Sequence, residues 1–198
     1  MQQLILATGN AHKTREVCEI LGSAWVVRDL SSFPGVRVPE ETGVTFAENA
    51  ALKAGSVSRA LPGALVLADD SGLELDALGG APGVHSARYA GPGATDAQNR
   101  ARLLRELAAR RVPPGDRSAR FRCALALARD GLVEAQFEGA VEGRIIEATR
   151  GRGGFGYDPL FVPAGQDATF AEMAPEAKHR LSHRGRALAT LARHLGGA

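Results

Sequence analysis

Cysteine, aromatic residues and long apolar runs are all scarce in this sequence. Its 198 residues include two cysteines, and 5% of them are aromatic. The cysteines have no metal-ligand spacing and no histidine close by, which argues against a disulfide framework or a zinc site. Because Cys18 and Cys123 both lie in apolar periodic segments, we expect two reduced, buried thiols.

A large net charge is also absent. The 24 basic and 22 acidic residues leave a net charge of +2, which gives no reason to expect a nucleic-acid polymer or a membrane as partner. No apolar run reaches the length of a membrane span, and the first residues lack the features of a signal peptide. We therefore expect a cytoplasmic protein with one domain over residues 1–198.

The most informative stretch runs from Leu65 to Gly83. An apolar run predicts a buried strand that ends at Asp69 and Asp70, followed by a Ser-Gly turn and a second, half-exposed strand over 73–78. Acids at the carboxyl end of a buried strand lie where open α/β sheets bind ligands. Neighbouring residues of an extended chain point to opposite sides, so one carboxylate faces a given ligand, and we favour Asp70. The alternative is that these are ordinary turn residues.

A second candidate site follows the first predicted strand, Leu4 to Ala7. The turn beginning at Thr8 leads into a helix that stops at Gly22, an arrangement that points backbone N–H groups at an anion. Lys13 lies in the first turn of this helix, where the helix dipole disfavours a cation unless a phosphate is close. The alternative is a capped helix with a solvated lysine.

A third candidate site precedes and includes the helix predicted from Thr45 to Leu61. Thr45 and Glu48 fit a capping box, and Lys53 lies on a different face from the apolar stripe. Two further acids, Glu40 and Glu41, come just before this helix. The alternative is that these charges are solvated, as most such residues are.

The glycine-aromatic loop, residues 150–159, is the fourth candidate. Four glycines in six residues allow close approach to a ligand, Phe155 and Tyr157 offer flat apolar surfaces, and Asp158 offers an acceptor, which would suit a planar heterocycle. A flexible hairpin is the alternative. Three further polar residues gather around the start of the last predicted helix: Lys178, His183 and Arg184.

Together these features suit a nucleoside triphosphate bound with magnesium. Carboxylates hold Mg²⁺ with waters completing its shell, lysines and N–H groups contact phosphates, and the glycine-aromatic loop contacts the base.

The sequence also resembles the non-canonical purine nucleoside triphosphate pyrophosphatases, the family of dITP/XTP pyrophosphatases and inosine triphosphatases. The resemblance spans nearly the whole chain and rests on six motifs in order: Thr8-Gly9-Asn10-Ala11-His12-Lys13, Phe46-Ala47-Glu48-Asn49-Ala50 with Lys53, Ala68-Asp69-Asp70-Ser71-Gly72-Leu73, Gly79-Gly80-Ala81-Pro82-Gly83, Phe155-Gly156-Tyr157-Asp158-Pro159 and Ser182-His183-Arg184.

The resemblance implies an α/β fold of two lobes around a long mixed central sheet flanked by helices, with the active cleft between the lobes. It implies a magnesium-dependent homodimer that cleaves ITP, dITP or XTP into the monophosphate and pyrophosphate. Asp70 would be the general base and a metal ligand, and of Glu40 and Glu41 we choose Glu41 as the second ligand. The implied substrate-binding residues are Thr8, Gly9, Asn10, Ala11, His12, Lys13, Lys53, Ser71, Phe155, Gly156, Tyr157, Asp158, Lys178, His183 and Arg184.

Three other functions are compatible with part of the sequence. A pyrophosphatase of the septum-formation-inhibitor type would share the fold, but its first motif should be rich in Ser and Arg. A nucleotide sensor would not require Asp70, Lys13 and Lys53 together. A haloacid-dehalogenase-type phosphatase should carry an Asp-x-Asp pair after its first strand, which adjacent Asp69 and Asp70 do not provide.

Overall fold

The fold is an α/β arrangement, as predicted. A computed structural model describes residues 2–196, which contain six strands and five α-helices. The strands are β1 (Gln2–Leu6), β2 (Trp25–Asp29), β3 (Val66–Leu75), β4 (Ser118–Arg129), β5 (Leu132–Ile145) and β6 (Phe161–Pro163). The helices are α1 (Ala11–Leu21), α2 (Phe46–Ala60), α3 (Asp96–Ala109), α4 (Pro175–Leu181) and α5 (His183–Gly196).

The strands form one sheet in the order β2-β1-β3-β4-β5-β6. Strand β1 pairs in parallel with both β2 and β3, whereas β5 and β6 pair antiparallel. The predicted mixed sheet is therefore confirmed. A turn at Asp130 and Gly131, both with positive φ, joins β4 to β5, as the Asp-Gly dipeptide predicts.

The chain divides into two compact units. The first comprises the residues up to Asp70, Cys123–Gly139 and the residues from Arg184 onward, and the second comprises Ser71–Arg122 and Ala140–His183. Each unit has its own apolar core. In the first, Val17 of α1 and Leu188 of α5 pack with residues of β1, β3 and β4. In the second, Leu103 of α3 packs with aromatic residues that include Phe121, Tyr157, Phe161 and Phe170.

Local capping signals place the starts of three helices. Asn10 caps α1, and its side chain accepts from the N–H groups of His12 and Lys13. Thr45 forms a capping box with Glu48 at the start of α2, and Thr95 forms one with Gln98 at α3. The box at Thr45 appears at the residues predicted above, and each box satisfies helix N–H groups within four residues.

The prediction of a turn at Ser71 and Gly72 is wrong. Strand β3 continues through both residues to Leu75. Asp69 and Asp70 lie within the strand, and each carboxylate has a cationic partner there. The C-terminal region is mostly helical, with α4 beginning at Pro175 and α5 at His183.

The two cysteines differ in exposure. Cys123 is buried in the core of the first unit, as expected. Cys18 is free and exposed on α1, so the prediction of a buried thiol is wrong at that position. A single apolar face suffices to anchor α1 through Val17, and Cys18 falls beside that face. Within residues 2–196, every helix is too short or too polar to cross a membrane.

Candidate active site

The turn between β1 and α1 is an open surface with one inward-facing lysine. Residues 9–12 are exposed, and Thr8 and Lys13 are half-buried. The Asn10 N–H donates to the Thr8 hydroxyl at 3.1 Å. Because Asn10 Oδ1 accepts from the amides of His12 and Lys13, these two helix N–H groups already have partners. The groups best placed to meet a phosphate here are side chains, above all Lys13.

Lys13 contacts the first acid of β3. Its Nζ lies 2.6 Å from Asp69 Oδ1 and 3.2 Å from the Asp69 carbonyl oxygen. The side chain keeps 15% of its exposure, so it remains within reach of a ligand. Within the chain, the negative charge beside Lys13 is that of Asp69, and the predicted phosphate contact stays a prediction.

Lys53 is buried at the centre of the third candidate site. Its Nζ donates to Asp70 Oδ1 at 2.8 Å, to the Asp69 carbonyl oxygen at 2.9 Å and to Glu41 Oε1 at 2.9 Å. The alternative of a solvated lysine is therefore wrong. One helix turn before it, Asn49 Oδ1 accepts from the Gly43 N–H at 2.8 Å. This bond fixes the segment that carries Glu41.

The carboxylates of Asp69 and Asp70 contact different groups, as expected for neighbouring residues on a strand, whose side chains point to opposite sides. Asp69 contacts Lys13 and Arg184 and accepts from the Cys123 thiol at 3.3 Å, whereas Asp70 contacts Lys53. Burial opposes ionisation of Asp69, but Arg184 and Lys13 outweigh it and hold its pKa well below the usual range. For Asp70, burial outweighs the attraction of Lys53 and raises the pKa.

Sequence reasoning missed Glu16. Its carboxylate pairs with Nη1 of Arg184, while Arg184 Nε donates to Asp69 Oδ2 at 2.8 Å. The spacing of three residues from Lys13 on one helix was the available signal, because such residues share a face. Arg184 is 1% exposed, and its carboxylate partners outweigh burial and raise its pKa. We name these residues the buried ion cluster: Lys13, Glu16, Glu41, Lys53, Asp69, Asp70 and Arg184.

The second unit brings together most of the residues predicted to bind the base. Asp158 Oδ2 accepts from Lys178 Nζ at 2.7 Å and from the Phe155 N–H at 2.9 Å. Lys178 Nζ also lies 5.2 Å from the centre of the Phe155 ring. The His183 ring stacks on Phe121 at 4.8 Å. Ser71, predicted to contact the substrate, is half-buried at the first residue of this unit.

Arg184 lies with a different group from the one predicted. Its guanidinium belongs to the buried ion cluster of the first unit, where Asp69 and Glu16 hold it. Its neighbour His183 belongs to the second unit. The two residues are adjacent in sequence, so spacing alone gave no sign of this division.

The residues predicted to hold magnesium fit that ion in type and number. Asp70 Oδ2 is buried and has no hydrogen-bond partner, which leaves a hard oxygen for a cation. Glu41 is half-buried and shares Lys53 with Asp70, whereas Glu40 is exposed. Residues 2–196 contain no cluster of three or more acidic, histidine or cysteine side chains suited to a metal. Mg²⁺ commonly uses one or two carboxylates and completes its shell with water and phosphate oxygens.

Comparison with known proteins identifies the family. The model of the Ham1 family matches residues 4–194. The chain belongs to the Ham1 family. It is 52% identical over 192 residues to the dITP/XTP pyrophosphatase of Geobacillus kaustophilus, covering 96% of this chain and 93% of that protein. It is 50% identical over 197 residues to the dITP/XTP pyrophosphatase of Geobacter sulfurreducens, covering 99% and 98%.

Solved structures of Ham1 proteins share the fold. The HAM1 protein of Coxiella burnetii superimposes with a TM-score of 0.87 at 41% identity, with 100% of both chains covered. The Ham1 protein of Staphylococcus aureus gives 0.85 at 38% identity, with 99% of both covered. The family membership and α/β fold implied by the sequence motifs are confirmed.

Proposed function

We propose that the protein hydrolyses non-canonical purine nucleoside triphosphates, namely ITP, dITP and XTP, to the monophosphate and pyrophosphate. Its membership of the Ham1 family and its identity of about one half to dITP/XTP pyrophosphatases support this enzyme class and substrate class. The single observation in the structure that carries the proposal is the contact of Lys53 with Asp70 and Glu41. Lys53 is a cation of the kind that binds phosphate, and its two partners are carboxylates of the kind that bind magnesium.

The lysines would bind the triphosphate by exchanging partners. Within the chain, Lys13 and Lys53 both form ion pairs with carboxylates. Phosphate oxygens carry more charge and would compete for the same ammonium groups. Thr8 and the exposed residues 9–12 would border the phosphates beside Lys13. Such contacts orient the α-phosphorus for attack, and positioning supplies much of the rate in phosphoryl transfer.

Asp70 would orient and deprotonate the attacking water. Its Oδ2 is free of hydrogen bonds and therefore able to accept one from water. Burial raises its pKa, but bound magnesium would oppose this shift, so orientation of the water would be its main contribution. Magnesium, held by Asp70 and Glu41, would screen the phosphates and favour ionisation of the water. Lys53, bonded to Asp70 Oδ1, would keep the carboxylate in one orientation.

The glycine-aromatic loop would bind the base. Phe155 offers a ring, and Lys178 and His183 offer donors to an oxygen at the 6-position of a purine. We retain Arg184 as a base-recognition residue on the resemblance alone. Adenine carries an amino group at the 6-position, so the same donors would remain unpaired, and a site of this kind can reject a mismatched analogue by roughly 10⁴-fold. We also propose a homodimer located in the cytoplasm, on the family resemblance.

Release of pyrophosphate from single nucleotides tests the function. Equal concentrations of ITP, dITP, XTP, GTP and ATP are compared, each with magnesium and with a chelator. We expect magnesium-dependent release mainly from the first three. Comparable efficiency on ATP would contradict the base specificity, and release that persists in chelator would contradict the metal requirement.

Replacement of Asp70 tests its assigned role. We expect Asp70→Asn to fold and to lose nearly all turnover, whereas exposed Asp116→Asn serves as a control with full activity. Turnover of Asp70→Asn within a few-fold of the unsubstituted protein would remove Asp70 from the role of base. Nucleotide binding without any pyrophosphate release in the unsubstituted protein would favour the nucleotide sensor instead.

A further inference from the structure

Two residues of α3 hold both polar groups of one residue in the glycine-aromatic loop. Asp96 Oδ2 accepts from the Gly156 N–H at 2.6 Å. Arg100 Nη1 donates to the Gly156 carbonyl oxygen at 2.6 Å. Asp96 and Arg100 are four residues apart on a helix, so their side chains leave from the same face. The two side chains therefore act as a clamp on a single residue.

This loop requires such external contacts. Gly156 has a φ of +58°, and a glycine-rich backbone loses much conformational freedom when it adopts one shape. Within the loop, the Phe155 N–H is held by Asp158. The next residue after the clamp, Tyr157, donates from its hydroxyl to the Ser86 carbonyl oxygen at 2.9 Å. Gly156 lies between the contacts of Phe155 and Tyr157, and it has no side chain of its own. The clamp therefore supplies the hydrogen bonds that hold this residue.

The clamp controls the place of Phe155. The ring of Phe155 is half-buried and lies next to Lys178, and its carbonyl carbon is bonded to the Gly156 nitrogen that Asp96 holds. Asp96 therefore holds the peptide group that joins Phe155 to Gly156, and loss of this contact would leave Phe155 freer to move relative to Lys178. A preformed site binds its ligand more tightly because less conformational freedom is lost on binding.

We propose that Asp96 and Arg100 are positioning residues that fix the base-binding loop through Gly156 without touching the substrate. This inference rests on the proposed function of that loop. Asp96 is exposed and Arg100 half-buried, and neither belongs to the buried ion cluster. Their effect is therefore on nucleotide affinity, separate from the chemistry assigned to Asp70.

Paired variants test the clamp. Arg100→Met and Asp96→Ala each remove one hydrogen bond to Gly156. We expect the KM for ITP to rise about threefold to tenfold, as for the loss of one charge-assisted hydrogen bond in a partly solvated place, while kcat changes less than twofold. Arg100→Lys and Asp96→Asn retain a donor and an acceptor, and should recover at least half of the loss on a logarithmic scale. The exposed Arg105 on the same helix supplies Arg105→Met as a charge-matched control with an unchanged KM.

Several results would overturn the inference. One is an unchanged KM in both Arg100→Met and Asp96→Ala, and another is an equal rise in Arg105→Met, which would indicate a general effect of charge. A fall in kcat with an unchanged KM would also contradict positioning of the base. Calorimetric titration with inosine monophosphate applies to the same variants without hydrolysis. If the unsubstituted protein binds inosine monophosphate but releases no pyrophosphate from ITP, the proposed function fails while the clamp is still judged by the change in Kd.

Discussion

Lys53 and Asp70 form a buried ion pair, in which Nζ lies 2.8 Å from Oδ1 and each side chain keeps less than a tenth of its exposure. Lys53 belongs to α2 and Asp70 to β3, so the pair joins the helix to the strand. Removing one partner of such a pair leaves an unpaired buried charge, which is more costly than removing both.

A double-mutant cycle measures this coupling. We expect Lys53→Met to lower the free energy of unfolding by about 3 kcal/mol, because Asp70 then loses its cation. The double variant Lys53→Met/Asp70→Asn should be more stable than Lys53→Met alone, and all variants of the cycle should be inactive. Urea unfolding gives the free energies. Additive effects of the two substitutions would contradict the coupling.

Arg184 should be a major contributor to stability. Arg184→Met leaves both Asp69 and Glu16 without a shared cation, and we expect a loss of about 3–5 kcal/mol. Arg184→Lys restores the charge but not the planar fork that reaches two carboxylates, so it should recover only part of this loss. Urea unfolding at neutral pH provides the measurement. The exposed Arg186 on the same helix gives Arg186→Met as the control, and a similar loss in that variant would contradict a specific role for Arg184.

The two thiols should react at different rates. Cys18 is exposed on α1, whereas Cys123 is buried and its pKa is raised by burial and by Asp69. We expect a thiol reagent such as Ellman's to modify one cysteine in the folded protein and two in urea. Cys18→Ser should abolish the reaction in the folded state. Rapid modification of that variant would show that Cys123 is accessible.

The Tyr89–Glu106 contact should make stability depend on pH at both extremes. The Tyr89 hydroxyl donates to Glu106 Oε2 at 2.7 Å, and this bond, with Arg102, lowers the pKa of Glu106. A carboxyl with a lowered pKa stabilises the fold above its unfolded pKa, and this contribution is lost as the pH falls through the folded value. Glu106→Gln should therefore flatten the acid side of the curve of unfolding free energy against pH.

On the alkaline side the sign is reversed. Burial and Glu106 raise the pKa of Tyr89 to about 12, so its contribution is complete below the unfolded pKa of about 10 and declines as the pH rises toward 12. Tyr89→Phe should remove this decline. Ultraviolet titration of the phenols checks the shift directly, and a component that titrates near the ordinary value of about 10 and disappears in Tyr89→Phe would contradict it.

The sequence predicted local features well and distant contacts poorly. The capping boxes at Thr45 and Thr95 depend on residues three positions apart, and both are observed. The partners of Asp69 were not predictable in this way, because Arg184 is 115 residues away. The continuation of β3 through Ser71 and Gly72 was not predicted either, because the local preferences of Ser and Gly favour a turn.

Candidate residues were easier to find than their partners. Lys53 was singled out in the helix that follows Glu40 and Glu41, and the structure places it between Asp70 and Glu41. Glu16 was missed because a glutamate in an amphipathic helix is usually solvated. Asp96 and Arg100 were missed because their target is a backbone group of a glycine, which leaves no mark in the pattern of side chains.

The division of the chain limits how the protein can be taken apart. The path leaves the first unit after Asp70, re-enters it at Cys123, leaves again after Gly139 and returns at Arg184. Neither unit is a continuous segment, so no truncation or single gene fusion isolates one of them. A change of base preference would therefore have to arise from individual substitutions in an intact chain, because neither unit can be transferred as one continuous segment.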